Sequence, residues 1–387
     1  MHDYITEAKN WVKAHPYLYD LLLSYSQTYK YGYIYREQDV KRFLKKIGKS
    51  KHLPYNMKRE DLFIFIGDRN PNSTMRKAVF GDIDAERVKQ HKCVFYTTHV
   101  LKESKWQRVH DLYFKINKFF PLPGKKNWEK KYTTDVIKND GYNYFFVFLA
   151  GPLYAETFSQ AVLLKKINTI SKETFCRKIL YLADPVEKFP EMKRWFPYFD
   201  SVISCAIEDQ QKYDVEYIDT PCVFISGLNV PIKEDIYFRG MDLGRAELVH
   251  ACFQYLSENG VSCNFHVQTK RTDLPSVKGV TFSNERISYE EMVLEELSSN
   301  VMLEIVIPGI GSGTTLRYKE AVMYGRKLLT NNPTVKELPC FDEKYIHYFE
   351  VPEDIDIEWV KSRDLVRYNY HGEFSTDHFC EEISKRR

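Results

Sequence analysis

The stretch that most constrains this chain runs from Ser299 to Asn332. An apolar run from Val301 to Ile307 is short and is closed by Pro308 and Gly309, as a buried parallel strand should be. Glycines follow at Gly309, Gly311 and Gly313, then a helical segment over Thr315 to Tyr324, then a second strand from Lys327 to Thr330. Thr314 or Thr315 can cap that helix. Its start presents unpaired N–H groups and the positive end of the helix dipole, an arrangement that suits a phosphate. Arg317 falls in the first turn, where a guanidinium can add a two-pronged clamp. Glu320 lies one turn on, placed for a sugar or ribose hydroxyl. The plainer alternative is a strand–helix–strand crossover whose Arg and Glu are solvated.

The same alternation recurs along the chain. Strands are expected at Leu62–Gly67, Cys93–Thr97, Tyr144–Leu149, Ile179–Leu182 and Ser201–Cys205, and a helix over Ala85–Gln90 between the first two. A second series opens at Ile236–Phe238. Gly240 and Gly244 make a turn, Arg245 starts a helix over Ala246–Leu256, and Cys263–Val267 follows. Ser288 and Glu291 have the spacing of a capping box for a helix ending at Leu297. Alternating strands and helices predict parallel, doubly wound sheets, whose ligands bind at the carboxyl ends of the strands. That rule selects Asp68, Arg69, His99, Gly151 and Asp184 as cleft residues. Residues 1–57 carry apolar positions at helical spacing and are expected to form a helical arm. Pro221, Gly227 and Pro231 mark a connection over 221–234. Beyond Pro333 the chain turns acidic and irregular from Val351 to Trp359, and 374–385 suits a last helix.

Length and charge narrow the function. A chain of 387 residues accommodates two cores, and its formal net charge of +3 lacks the basic excess of a nucleic-acid binder. None of the eight cysteines falls in a CxxC or Cys/His cluster, so reduced thiols in a cytoplasmic protein are expected. The N-terminus does not resemble a signal peptide, and no run of about 18 apolar residues could span a bilayer. Asp82-Ile83-Asp84 reads as a helix cap rather than a metal motif, and no metal site is expected. Residues 100–132 carry nine basic residues against three acidic ones, with seven aromatics interleaved. That mixture suits an anionic membrane surface; an amphipathic helix with a solvated lysine face is the alternative.

The residues Gly313–Arg317, Glu320-Ala321 and Gly325–Asn332 together resemble the donor-site signature of bacterial glycosyltransferases of lipopolysaccharide, O-antigen and capsular polysaccharide synthesis. Ile179–Asp184 resembles that family's strand ending in an aspartate. Tyr198–Ser204 with Glu208-Asp209 and Lys212-Tyr213 resembles its interdomain approach. Tyr237–Gly240 with Arg245 resembles the opening of its second domain. The likeness covers roughly 140–335. It departs at Ala183, where the family usually has an aromatic residue, and over the first 140 residues. The resemblance implies an α/β chain of the GT-B type, two Rossmann-like domains facing a cleft, here with the helical arm in front. The boundaries would be an acceptor domain over 58–225, a donor domain over 235–335 and a segment over 336–387 crossing back to the first. It implies transfer of a sugar from a nucleotide-diphosphate sugar to a glycan or lipid-linked acceptor, without a cofactor or metal. Gly240, Arg245, Gly313, Thr314, Thr315, Arg317 and Glu320 would hold the donor, and Asp184 or His99 would be the base. Such a protein would work in the cytoplasm or on the inner face of the membrane. A non-catalytic nucleotide- or glycan-binding protein on the same scaffold is the alternative.

Overall fold

The computed structural model describes residues 53–67, 74–97, 141–149, 164, 167–188, 190–269, 279–306 and 313–386. His99, Asp68, Arg69, Gly151, the segment 100–132 and residues 1–52 of the expected arm lie outside the described residues. Residues 53–57 at the arm's end are described, and they are not helical.

The described chain is α/β and holds two six-stranded sheets. The first contains β1 (Asp61–Gly67), β2 (Lys92–Thr97), β3 (Asn143–Leu149), β4 (Cys176–Leu182), β5 (Ser201–Ser204) and β6 (Glu216–Tyr217), in the order β2-β1-β3-β4-β5-β6. Its pairings β1–β3, β3–β4 and β5–β6 are parallel. β3 is buried along nearly its whole length, and Phe63 stacks on Phe145 at 4.9 Å. Such unbroken apolar runs arise where both faces of a sheet are covered.

Helix α1 corrects the sequence reading. It spans Thr74–Asp84, and 85–90 is turn and coil. The segment 85–90 has good helix formers but only Val88 to bury, whereas 74–84 contributes Ala78, Val79, Phe80 and Ile83 to the interior. Packing therefore overrides propensity. Asp82 and Asp84 accordingly sit at the C-terminal end of α1 instead of capping a start. Asp84 accepts two hydrogen bonds from Arg76 Nη2, at 2.8 and 2.9 Å.

The second sheet contains β7 (Glu234–Met241), β8 (Cys263–Gln268), β9 (Val280–Ser283), β10 (Ser299–Glu304), β11 (Lys327–Thr330) and β12 (Ile346–Tyr348). Helix α2 (Ile207–Tyr213) joins β5 to β6, and an irregular connection over 218–233 leads from β6 to β7. Helix α3 (Ala246–Glu258) joins β7 to β8, α4 (Tyr289–Leu297) precedes β10, and α5 (Leu316–Tyr324) joins β10 to β11. The order is β12-β11-β10-β7-β8-β9, and all five pairings are parallel. Counted from β7, this is the doubly wound order 3-2-1-4-5-6 of dinucleotide-binding sheets.

Strand periodicity divides the core of this sheet between two faces. Ile236, Phe238, Val301, Leu303 and Leu329 join Val249, Cys252 and Leu256 of α3. The alternate residues Met302 and Leu328 join Tyr289 and Val293 of α4, Tyr318 and Ala321 of α5, and Ala78 of α1. β7, β8 and β11 follow their expected positions within a few residues, whereas β9 and β12 have no expected counterpart. β10 starts two residues early and ends at Glu304, leaving Ile305 and Val306 outside the sheet.

The acidic stretch read as irregular contains a short helix, α6 (Ile357–Lys361), capped by the Asp356 carboxylate on Trp359 N at 3.0 Å. The last helix, α7 (Thr376–Lys385), packs on residues 80–91. Phe379 meets Phe80 edge-on at 6.0 Å, and Asp377 accepts from the backbone N–H groups of Lys89 and Gln90 at 3.0 and 2.8 Å.

Candidate functional site

In the order 3-2-1-4-5-6 the chain leaves β7 toward β8 and later returns to β10 on β7's other side. The carboxyl ends of β7 and β10 therefore border the topological switch point, where doubly wound sheets bind ligands. The turn from β7 into α3 runs through Asp242, Leu243 and Gly244. Leu243 and Gly244 both have positive φ, +43° and +85°, and the Leu243 side chain is exposed.

Arg245 ends this turn as the N-cap residue of α3, and no side chain caps that helix. Its guanidinium folds back over the strand ends. Nε donates to Met241 O at 2.8 Å and Nη1 donates to Ile305 O. The group lies 5.5 Å from the centre of the Phe238 ring. A Cβ on Gly240 would come within 2.5 Å of Arg245 Nη2, so the glycine is what lets the guanidinium lie there. Among the described residues no carboxylate forms an ion pair with Arg245. Burial, helped by the nearby Arg317 charge, lowers its pKa to about 10, which still leaves it protonated at neutral pH. An ion-pair-free cation beside an uncapped helix start and two strand ends can receive an anion.

The α5 side of the switch point is built differently. Gly313 has φ +131°, and none of the described residues lies within 4 Å of where its Cβ would be. Thr315 is the N-cap, accepting from Tyr318 N at 3.1 Å and donating to Glu304 Oε1. Thr330 donates to the other oxygen of Glu304. Asn332 donates to Gly313 O at 3.1 Å. Thr314 donates to Asp219, whose carboxylate also holds the buried Lys319 ammonium at 2.9 Å. The helix start is thus tied on three sides by side chains.

Arg317 and Glu320 occupy positions other than those expected. Arg317 turns inward: Nε and Nη2 donate to Glu296 Oε1 at 3.1 and 3.0 Å, Nη2 to Arg239 O at 2.6 Å, and Nη1 to Leu303 O at 3.3 Å. Its donors bind the protein's own carboxylate and strand carbonyls instead of facing the turn as a phosphate clamp. Glu320 is 1% exposed and packs beside Glu296, away from any sugar hydroxyl at the surface. The physical reason is the helix's own geometry. Positions i and i+3 share a face, and long side chains lean back over the preceding turn. On α5 that face is the one laid against the sheet. Gly240, Arg245, Gly313, Thr314 and Thr315 remain at the strand and helix ends.

Asp184 lies two residues beyond β4 and is half-buried. The other expected base, His99, lies outside the described residues. Asp184 lies near Cys205, whose thiol is pushed up to about 12 by burial; Lys319 pulls the other way, and Asp219 and Asp184 add to the rise. Four residues went unread in the sequence: Glu296, Glu304, Asp219 and Lys319. For Glu304 and Lys319 a signal existed. Each is a charge amid a run of otherwise buried positions, which requires a partner inside.

No protein-family model matches the chain, and no curated protein matches it. Several solved structures are similar. One is an alpha-glucosyltransferase in complex with UDP and a 13-mer DNA containing a HMU base: 12% identity over 85% of this chain and 99% of that one, TM-score 0.48. Another is the T4 phage enzyme BGT in complex with its UDP-glucose substrate: 11% identity over 78% and 88%, TM-score 0.40. A third is the glycotransferase of kitacinnamycin: 8% identity over 85% and 99%, TM-score 0.36.

Proposed function

We propose that this chain is a glycosyltransferase that binds a nucleotide-diphosphate sugar at the carboxyl ends of β7 and β10. The observation that supports this most is Arg245, a guanidinium without a carboxylate partner among the described residues, held over the switch point of a 3-2-1-4-5-6 sheet. Transfer breaks the bond between the anomeric carbon and the diphosphate oxygen, and the departing diphosphate gains negative charge. Arg245 and the first N–H groups of α3, with those of α5 beyond Gly313, would stabilise that charge where it develops. The acceptor hydroxyl must lose its proton as it attacks. Asp184 and His99 are the bases proposed for that step. The leaving group would need no metal ion, because fixed positive groups already face it.

The acceptor we propose is a glycan or lipid-linked glycan of a cell-surface polysaccharide, reached by reversible membrane contact through 100–132. The argument against nucleic acid rests on net charge alone, so both acceptor classes belong in the assay. Calorimetry with UDP and GDP tests the donor site, and release of nucleoside diphosphate from nucleotide sugars tests turnover. Binding without turnover on any glycan, lipid-linked or DNA acceptor would favour a non-catalytic binding protein. Absence of nucleotide binding would refute the donor site itself.

A further inference from the structure

Glu296 and Glu320 are both buried, with exposures of 0% and 1%. Glu296 ends α4's inner face, and Glu320 lies one turn beyond Arg317 on α5. Arg317 spends both of its ion-pair contacts on a single oxygen, Glu296 Oε1. Among the described residues the other oxygen, Glu296 Oε2, has no donor, and neither has Glu320 Oε1. Yet the two carboxyl groups lie within hydrogen-bonding reach of each other. Ionised carboxylates only accept, so two of them cannot hydrogen-bond. Two buried negative charges against one guanidinium would also leave an uncompensated charge in the core. One proton removes both difficulties. It converts Glu320 into a donor toward Glu296 and brings the group to neutrality.

We propose that Glu296 and Glu320 share a single proton, and that the neutral Arg317–Glu296–Glu320 group is the strut that ties α5 to the carboxyl ends of β7 and β10. Arg317 reaches those strands through Arg239 O and Leu303 O, so Glu320 acts as a positioning residue through Glu296 and Arg317. The neighbours fit a neutral pair. The Tyr289 hydroxyl of α4 donates to Val223 O at 3.1 Å, and Tyr289, Cys222, Tyr324 and Tyr237 lie beside the carboxyls. Burial drives all four of these thiol and phenol groups above their ordinary ranges, so they stay uncharged at neutral pH. Burial, then the Glu296 charge, raises Glu320 well above the usual carboxylate range. A carboxyl raised in the folded state contributes stability that is complete at low pH and is lost as pH rises through its folded value. This holds whether or not a nucleotide binds.

Infrared spectroscopy of the full chain at neutral pH tests the proposal. The wild type should show the carbonyl stretch of a protonated carboxylic acid, absent from Glu320→Gln. Unfolding near pH 7 should release about one proton more from the wild type than from Glu320→Gln. The glutamine amide can still donate to Glu296 Oε2, so this variant should fold, while Glu296→Gln should be much less stable. If the variant fails to fold, the wild-type band and its loss as pH rises still decide the matter. A wild type without the band, or equal proton release from both proteins, would overturn the shared proton.

Discussion

Two arginines near the same strand ends have opposite fates. Arg317 is held by Glu296 and two carbonyls, whereas among the described residues Arg245 is held by carbonyls alone. Their substitutions should therefore separate. Arg317→Ala leaves the Glu296 charge buried and unpaired, a defect costing about 3–5 kcal/mol, and chemical denaturation should show the loss. Arg245→Ala removes no buried ion pair, so its midpoint should stay near wild type. It should instead weaken nucleotide affinity on the order of tenfold to a hundredfold, the equivalent of about 1.5–3 kcal/mol for a charge-assisted contact. Equal nucleotide affinity in calorimetry would move the donor away from the switch point. Gly240→Ala is a subtler probe, because its methyl group would displace Arg245 Nη2 while leaving the guanidinium in the chain. Its affinity should fall toward that of Arg245→Ala.

Among the elements, α4 and α7 carry separable local signals. The Ser288 hydroxyl accepts from Glu291 N at 3.1 Å, and the Glu291 carboxylate accepts from Ser288 N at 2.8 Å, closing the capping box the sequence predicts. Ser288→Ala should cost about 1 kcal/mol, read as a shift in thermal midpoint without loss of nucleotide binding. Helix α7 is tied to 89–91 by Asp377. Burial opposes its charge, but the N–H groups of Lys89 and Gln90 and the His91 ring more than compensate, holding the carboxyl below its usual range. A depressed carboxylate contributes stability that is present above its unfolded value near 3.9 and lost as pH falls through the folded value. Asp377→Asn should thus lower stability at neutral pH and flatten its decline on acidification. A decline as steep as that of the wild type would show that Asp377 does not couple to acid unfolding.

At the scale of the whole molecule, fixed positive charge bears on both metal dependence and membrane contact. If fixed cations and helix starts neutralise the diphosphate, EDTA should leave transfer largely intact. Activity abolished by EDTA and restored by magnesium or manganese would assign the leaving-group chemistry to an ion. No helix among the described residues is long and apolar enough to cross a membrane. Contact through 100–132 would instead be interfacial, with each Lys or Arg contributing about 1 kcal/mol at low salt. Changing Lys125, Lys126, Lys130 and Lys131 to Glu should abolish sedimentation with anionic vesicles. Equal sedimentation of both proteins would leave that segment without a membrane role.

What the sequence by itself determined is local. Apolar runs bounded by glycine and proline mark the strands, and the period of two in β7 and β10 supplies both faces of a buried sheet. The capping box of α4 depends on residues three apart, so it is legible before any folding; for α5 the sequence offers Thr314 or Thr315, and the structure seats Thr315. The helix α1, kinked at Phe80, was not legible, because 74–84 is fixed by burying Phe80 and Ile83, with Phe80 against a residue distant in sequence. Strand order was not legible either. It is a pairing of segments far apart, and it alone places Arg245 at a switch point. The fate of the charges on α5 belonged wholly to tertiary structure. The rotation of that helix against the sheet turned Arg317 and Glu320 inward, toward a glutamate on another helix, and a charge's partner is a matter of distance in space.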